Sequence, residues 1–192
     1  MPGWPRAGSY NTAVKEGGNS SIFLVGMMGA GKSTVGRLLA RRLKLRFIDC
    51  DHEIERRCGV AVPLIFDIEG EAGFRARESQ VLEELTAMQN VVLATGGGAV
   101  LDAGNRQRLA AGGTVVYLCA KPESLFERVK HDRNRPLLAT GDPLTRLREL
   151  YVQRDPLYRE VADLVVDTGR QSVQTLTRAI VDQLNERWKA SA

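Results

Sequence analysis

Long apolar runs are missing from this chain of 192 residues. None approaches the ~20 consecutive apolar residues of a membrane span. The first residues also lack the apolar middle of a signal peptide. These absences predict a cytoplasmic protein that does not enter a membrane. Residues 1–20 are rich in Gly, Ser and Asn, so we expect a disordered tail there and one domain over 21–192.

Cysteine and histidine are scarce as well. The three cysteines, Cys50, Cys58 and Cys119, form no Cys-x-x-Cys pair, and their odd count does not fit a disulfide framework. The two histidines, His52 and His131, lie too far apart in the sequence to suggest a metal site. We therefore expect buried or partly buried free thiols, and neither a disulfide scaffold nor a zinc site.

Aromatic residues make up only 6% of the chain, and its basic excess is modest, with a formal net charge of +4. Nucleic-acid binders concentrate Lys and Arg in a patch with exposed aromatic side chains. Here the arginines are spread along the sequence, so we expect no nucleic-acid partner. Small anionic ligands explain the basic excess equally well.

A glycine-rich turn follows the first apolar segment, Ile22–Val25, and precedes a helical sequence. The turn Gly26-x-x-x-x-Gly31-Lys32-Ser33 matches the phosphate-binding P-loop pattern. Glycines let successive N–H groups point at phosphate oxygens, and the helix N-terminus that follows favours anions. Lys32 can reach the β- and γ-phosphates, and the Ser33 hydroxyl can ligate Mg²⁺. An ordinary glycine-rich turn is the alternative, which the flanking strand and helix disfavour.

Two carboxylates stand at the end of the second predicted strand, in Asp49-Cys50-Asp51. Residues i and i+2 of an extended segment point to the same side, here toward the P-loop. One carboxylate can serve Mg²⁺, and the other can accept a hydrogen bond from an acceptor hydroxyl. Asp49 can also act as the N-cap of the next helix, a role compatible with the first.

Three glycines, Gly96, Gly97 and Gly98, follow another buried strand at 91–94. They indicate backbone that a ligand approaches closely, with a plain tight turn as the alternative. The polar segment 131–143 ends in Gly and Pro and lacks periodicity, so we expect a mobile lid. An arginine in such a lid, Arg135, can neutralise charge on a transferring phosphoryl group.

Hydrophobic periodicity predicts a chain of alternating strands and helices. Strands are expected at 22–25, 45–49, 91–94, 114–118 and 162–167. Helices are expected at 35–43, 52–57, 63–68, 72–88, 102–111, 122–130, 144–159 and 172–189. A turn at 69–71 separates two of the helices, and Asp155-Pro156 is expected to interrupt another. This alternation predicts an α/β fold with parallel strands and right-handed crossovers.

Taken together, the motifs resemble the shikimate kinase family, a member of the P-loop nucleoside-monophosphate-kinase-like group. The likeness runs from about Ile22 to Leu184. Besides the P-loop it rests on Asp49-x-Asp51, Phe74-Arg75-x-x-Glu78, Gly96-Gly97-Gly98-Ala99, Arg135-Pro136-Leu137-Leu138 and Arg154-x-Pro156-Leu157-Tyr158. It implies a three-layer αβα fold with five parallel strands in the order 2-3-1-4-5. It also implies ATP-dependent phosphorylation of the 3-hydroxyl of shikimate, on the chorismate route to aromatic amino acids.

The resemblance further implies a role for each matching residue. Catalysis would involve Lys32, Asp51 and Arg135. Shikimate would be bound by Asp51, Arg75, Gly96, Gly97, Gly98 and Arg154. ATP would be bound by Gly29, Ala30, Gly31, Lys32, Ser33, Thr34, Arg128, Arg135 and Arg170, the last of these in the turn 168–170 beside adenine. Mg²⁺ would be held by Ser33 and Asp49, and we expect a monomer.

Elementary chemistry agrees with the acceptor assignment. Shikimate carries one carboxylate, and Arg75 and Arg154 supply two guanidinium forks that can bind it. Glu78, one turn after Arg75, can orient that arginine. Phosphoryl transfer needs little early proton transfer, so Asp51 is expected chiefly to position the hydroxyl and only partly to act as a base.

Two other functions stay open at this point. Another small-molecule kinase of the group, such as a gluconokinase-like or nucleotide kinase, would share the P-loop but not the Phe74 and Arg154 motifs. A non-catalytic nucleotide-binding module would bind ATP without acceptor-stimulated ADP release.

Overall fold

The computed structural model describes residues 20–130, 141–169 and 171–190. The strands are β1 (Ile22–Val25), β2 (Arg46–Asp49), β3 (Val91–Ala94), β4 (Thr114–Cys119) and β5 (Leu164–Asp167). The helices are α1 (Lys32–Leu43), α2 (Cys50–Cys58), α3 (Val62–Thr86), α4 (Ala103–Gly112), α5 (Pro122–Val129), α6 (Pro143–Val161) and α7 (Val173–Ala190), with a short 3₁₀ turn at Ala99–Leu101. The predicted tail up to residue 19 and lid residues 131–140 lie outside the described ranges.

The five strands form one parallel sheet in the order β2-β3-β1-β4-β5. The central strand β1 pairs with β3 and β4, so that Ile22 lies opposite both Val92 and Thr114. All four residues of β1 are buried, as expected for a strand covered on both faces. The predicted α/β class and strand order are therefore confirmed.

Helices cover the sheet in the way that right-handed crossovers require. Helix α1 leads from the centre to one edge of the sheet and packs against α7. The connections through α3, α4 and α6 run in the opposite direction, and these helices pack against one another. Because every strand runs the same way, their carboxyl ends meet at one edge, where ligands bind in such sheets.

Helix α6 corrects one expectation, because Pro156 lies inside a continuous helix rather than interrupting it. Proline removes one N–H donor to the carbonyl four residues earlier, which here belongs to Val152. That residue is 75% exposed, so water can replace the lost donor. The predicted turn at 69–71 is confirmed, since Gly70 breaks α3 with φ 69° and ψ −178°.

Side chains cap the N-termini of several helices. Asp102 accepts a hydrogen bond from the Asn105 N–H at 2.8 Å, and Ser172 accepts one from the Thr175 N–H at 3.2 Å. Such caps satisfy N–H groups that have no partner within the helix. Within the described ranges, no helix is both long and apolar enough to cross a membrane.

Candidate active site

A cleft of ≈ 910 Å³ opens at the carboxyl ends of the central strands. It brings together all the predicted site residues that the structure describes. These are Gly29, Ala30, Gly31, Lys32, Ser33, Thr34, Asp49, Asp51, Arg75, Gly96, Gly97, Gly98, Arg128 and Arg154. The other two, Arg135 and Arg170, lie outside the described residues, and their roles stay predictions.

The P-loop connects β1 to α1 through backbone that only glycine adopts readily. Gly26, Gly29 and Gly31 have φ values of 141°, 77° and 94°. At Gly26 a Cβ would also lie 2.5 Å from the Leu118 carbonyl oxygen. Gly31 is the N-cap of α1 and has no side chain to accept the first N–H groups of that helix. A bound phosphate would supply the missing acceptors.

Lys32 begins α1 and folds back over the loop. Its Nζ donates hydrogen bonds to the Gly26 carbonyl oxygen at 2.7 Å and to the Met27 carbonyl oxygen at 3.0 Å. The ammonium group is thus held beside the N-terminus of the helix. From there it can add a positive charge to the N–H groups that face a phosphate.

Ser33 and Asp49 place two oxygen ligands beside the loop. The Ser33 Oγ donates a hydrogen bond to Asp49 Oδ2 at 2.6 Å. Within the described ranges, no group of three or more His, Cys, Asp or Glu side chains could hold a metal ion. Magnesium usually takes one or two protein oxygens and completes its octahedron with water and phosphate oxygens. Ser33 and Asp49 therefore fit a Mg²⁺ ion that arrives with a nucleotide.

Asp51 lies at the cleft for a different structural reason from the one predicted. It lies in the first turn of α2 and not in an extended segment, so the argument from alternating strand side chains is wrong. Asp49 is the N-cap, and its Oδ1 accepts a hydrogen bond from the Asp51 N–H at 3.2 Å. The cap brings both carboxylates to the cleft, because it starts the helix directly at the end of β2.

Arg75 lies on α3 between two carboxylates of the same helix. Its Nη1 donates to Glu78 Oε2 at 2.6 Å, and its Nη2 donates to Glu71 Oε1 at 3.0 Å. The guanidinium lies against Gly98, where a Cβ would overlap it. The predicted orientation of Arg75 by Glu78 is therefore present, and the glycine provides the space that the guanidinium occupies.

Arg154 is the largest fully buried side chain of the described chain, at 1% exposure. Its Nε and Nη1 have no hydrogen-bond acceptor among the described residues. Burial lowers the pKa of this guanidinium, and the positive charge of Arg75 adds to that effect. A buried cation in this condition is costly until an anion pairs with it.

Glu78 is also fully buried, and its carboxylate faces Gly96 together with that of Asp51. Oε1 of Glu78 finds no hydrogen-bond partner within the described ranges. Burial raises the pKa of Glu78, although Arg75 acts in the opposite direction. Burial and the carboxylates nearby likewise raise the pKa of the Cys50 thiol, which keeps it neutral.

Arg128, in the last turn of α5, contacts the P-loop from another helix. It donates hydrogen bonds to the carbonyl oxygens of Gly29 at 3.3 Å, Thr168 at 2.8 Å and Gly169 at 3.2 Å. This links the P-loop to the turn after β5. The predicted place beside a nucleotide base is compatible with this position, and it stays a prediction.

Three residues in or next to the cleft have no role predicted from the sequence. The Phe66 ring packs on Phe74 at a centroid distance of 4.6 Å and lines the cleft, and no motif marked it. Glu71, four residues before Arg75, could have been found from helical spacing. Tyr158 was noted only as part of a motif, although its hydroxyl donates a hydrogen bond to the carbonyl oxygen of Gly97.

Comparison with known proteins finds similar sequences along most of this chain. The shikimate kinase family model matches residues 28–185. A shikimate kinase of Thiobacillus denitrificans is 60% identical over 165 residues, which cover 86% of this chain and 90% of that protein. A solved shikimate kinase from Acinetobacter baumannii in complex with shikimate has a TM-score of 0.86 at 48% identity, covering 88% of this chain and 94% of that one. A gluconokinase from Sinorhizobium meliloti, covering 91% of this chain and 98% of its own, has a TM-score of 0.59 at 20% identity and shows a shared fold alone.

Proposed function

The chain belongs to the shikimate kinase family, and on that premise we propose that it transfers the γ-phosphoryl group of ATP to the 3-hydroxyl of shikimate. The product is shikimate 3-phosphate, an intermediate on the chorismate route to aromatic amino acids. One chain supplies both the P-loop and the arginines Arg75 and Arg154 that line the cleft, so the proposal includes a monomeric enzyme. A cytoplasmic location is part of the same proposal.

The buried guanidinium of Arg154 is the observation that carries the acceptor assignment. Two of its nitrogens, Nε and Nη1, have no acceptor in the described part of the chain. Arg75 lies close enough for its charge to act on Arg154. A carboxylate between the two forks would satisfy these donors with charge-assisted hydrogen bonds. Shikimate has such a carboxylate, and its ring hydroxyls would then face Asp51 and the glycines 96–98.

The remaining roles follow from this placement. Asp51 would accept a hydrogen bond from the 3-hydroxyl and hold it in line with the γ-phosphate. Lys32 and the N–H groups of the P-loop would hold the phosphates. Mg²⁺, held by Ser33 and Asp49, would neutralise phosphate charge when it is bound. The assignments of Arg135 to the phosphates and of Arg170 to the adenine site belong to the same proposal.

Release of ADP from Mg·ATP tests the proposal, measured without acceptor, with shikimate and with gluconate. We expect shikimate alone to stimulate ADP release, because gluconate lacks the rigid ring that presents its carboxylate and hydroxyl together. Equal stimulation by gluconate would favour a gluconokinase. ATP binding without stimulation by either acid would favour a nucleotide-binding module.

Replacement of Asp51 tests the catalytic assignment. In Asp51→Asn we expect kcat to fall about 10²-fold, the lower end of the range for proton-transfer groups, since the amide accepts from the hydroxyl poorly. Shikimate should still bind, with a Kd within about threefold of wild type, because the arginines remain. Asp67→Asn, an exposed aspartate of α3, is the control. Wild-type turnover in Asp51→Asn would remove Asp51 from the mechanism.

A further inference from the structure

Tyr158 of α6 is fully buried and lies next to the glycine turn 96–98, the P-loop and Arg154. Its hydroxyl donates to the carbonyl oxygen of Gly97 and lies 3.6 Å from Met27 Sδ. The Met27 carbonyl oxygen accepts the hydrogen bond from Lys32 Nζ. One hydroxyl on α6 therefore contacts both the glycine turn and the P-loop.

The glycine turn depends on this hydroxyl in a specific way. The Gly96 carbonyl oxygen accepts from the Ala99 N–H at 3.2 Å, and that of Gly98 accepts from the Leu101 N–H at 3.0 Å. Both bonds belong to the 3₁₀ turn that follows. The middle carbonyl, that of Gly97, accepts from Tyr158. The backbone thus fixes the two outer glycines, and a side chain of another helix fixes the central one.

Arg154 precedes Tyr158 by four residues, so both side chains lie on the same face of α6. The Tyr158 hydroxyl is close enough to the Arg154 guanidinium to interact with it and to raise its pKa, against the larger effect of burial. Arg154 Nη1 also lies 3.7 Å from the position that a Cβ of Gly97 would take. Arg154 therefore lies close to both Tyr158 and Gly97.

A second set of contacts holds this part of α6 on the sheet. Tyr117 of β4 donates a hydrogen bond to Asp155 Oδ1 at 2.7 Å. Its ring lies 4.9 Å from that of Tyr158, centroid to centroid, with an interplanar angle of 31°. Because these contacts do not use the Tyr158 hydroxyl, its removal should leave the helix in place.

We propose that Tyr158 is a positioning residue of the acceptor site, whose hydroxyl ties the Gly97 carbonyl to Arg154 and so sets where the acceptor carboxylate binds. The inference rests on the proposed function, because it takes Arg154 as the carboxylate-binding residue. Tyr158 itself touches neither substrate in this scheme. It acts through the glycine turn and through Arg154.

Tyr158→Phe removes the hydroxyl and keeps the stacked ring. We expect the KM for shikimate to rise about tenfold, the effect of losing one good hydrogen bond, while the KM for ATP stays within about twofold. Tyr151→Phe is the matched control, since Tyr151 lies on the same helix and its hydroxyl faces Cys119 Sγ at 3.8 Å. An equal rise of both KM values, or an unchanged KM for shikimate, would overturn the proposal.

A double-mutant cycle separates action through Arg154 from a general loosening of the site. In an Arg154→Lys background, Tyr158→Phe should lower kcat/KM for shikimate by less than about twofold further. A full additional tenfold loss would show that the two residues act independently, which contradicts the proposal.

The proposed function and this inference are tested by different measurements. Wild-type turnover of shikimate tests the function alone. The inference concerns the ratio between variant and wild type. Calorimetric binding of shikimate without ATP supplies that ratio without turnover, and an unchanged Kd in Tyr158→Phe would overturn the inference even in an active kinase.

Discussion

The cleft has two halves that satisfy their charged groups in different ways. The phosphate half is the P-loop with Asp49, and the proposed acceptor half contains Arg75, Glu78 and Arg154. In the phosphate half, Lys32 Nζ is bonded to two backbone carbonyls, and Ser33 is bonded to Asp49. In the acceptor half, Arg154 and Glu78 are fully buried, and each keeps side-chain atoms without a hydrogen-bond partner among the described residues. The charged side chains of the phosphate half thus have hydrogen-bond partners before a ligand arrives, whereas atoms of Arg154 and Glu78 in the acceptor half lack them.

This difference shows where the fold gives up stability for function. Polar atoms left unsatisfied in a buried site cost free energy that a bound ligand can recover. Natural sites often keep such costs because removing them also removes activity. Replacing Lys32 in the phosphate half should therefore lower activity with little gain in stability. Neutral substitutions of Arg154 and Glu78 in the acceptor half should lower activity while removing a cost to the stability of the free protein.

The largest effect is expected in the phosphate half. Lys32→Met should lower kcat on the order of 10³-fold, the cost of removing one preorganised donor to transition-state charge. The melting temperature should change little, since the two hydrogen bonds lost with the ammonium group are only partly buried. Lys189→Met, near the end of α7, is the control. A variant that retains turnover would remove Lys32 from the phosphate site.

An intermediate effect on activity, with the opposite sign for stability, is expected at Arg154. Arg154→Met should lower kcat/KM for shikimate about 10–100-fold, the value of one charge-assisted contact. The same change should raise the free energy of unfolding by about 1 kcal/mol, or about 2–4 °C in melting temperature. Calorimetric melts without and with shikimate measure both effects, because only the wild type should gain strongly from the ligand.

Arg159→Met provides the control for this substitution. Arg159 lies on the same helix, is half exposed and pairs with Asp155 at 2.8 Å. Such an exposed pair contributes little to stability. If Arg154→Met melted below wild type in the absence of ligand, the buried guanidinium would not be a cost, and the contrast between the two halves would fail.

The smallest effect concerns the pH dependence of stability. Burial raises the pKa of Glu78 above 4.5, so its contribution to stability is fully present below that pH and is lost as the pH rises through the folded-state value. Glu78→Gln does not titrate. The free energy of unfolding of this variant should therefore rise relative to that of wild type as the pH rises above about 4.5, by on the order of 1 kcal/mol.

Denaturant melts across that pH range measure this difference. Glu84→Gln is the control of opposite sign, because Arg57 lowers the pKa of the exposed Glu84. The stability that this ion pair gives is lost as the pH falls. The free energy of unfolding of Glu84→Gln should therefore fall relative to that of wild type as the pH rises. Curves for Glu78→Gln and wild type that stay parallel over the whole range would contradict a buried charge cost at Glu78.

The phosphate half was also the easier one to predict from sequence. Its residues are consecutive, and the conformations of Gly26 and Gly31 follow from local chemistry. The strand order came only with the family resemblance. The sequence predicts Asp51 at the cleft correctly but for a wrong reason, because side chains do not alternate as in a strand where the capped helix α2 begins.

The contacts of the acceptor half could not be predicted in the same way. Tyr158 and Gly97 are 61 residues apart, and their hydrogen bond depends on how α6 packs on the sheet. The continuous path of α6 through Pro156 likewise depends on solvent exposure at Val152 and not on proline chemistry alone. The tertiary arrangement, which sets both packing and exposure, decides both features, and hydrophobic periodicity carries no information about either.

The buried guanidinium of Arg154 also sets a rule for inhibitor chemistry. A compound that fills the acceptor half without an anionic group leaves that cation dehydrated, with Nε and Nη1 still lacking an acceptor. Amides and esters of an otherwise good ligand are therefore expected to lose most of its affinity, whereas tetrazoles, sulfonates and other acid isosteres should keep it. Potency in this cleft will depend more on where the ligand carries its negative charge than on how much of the cavity it fills.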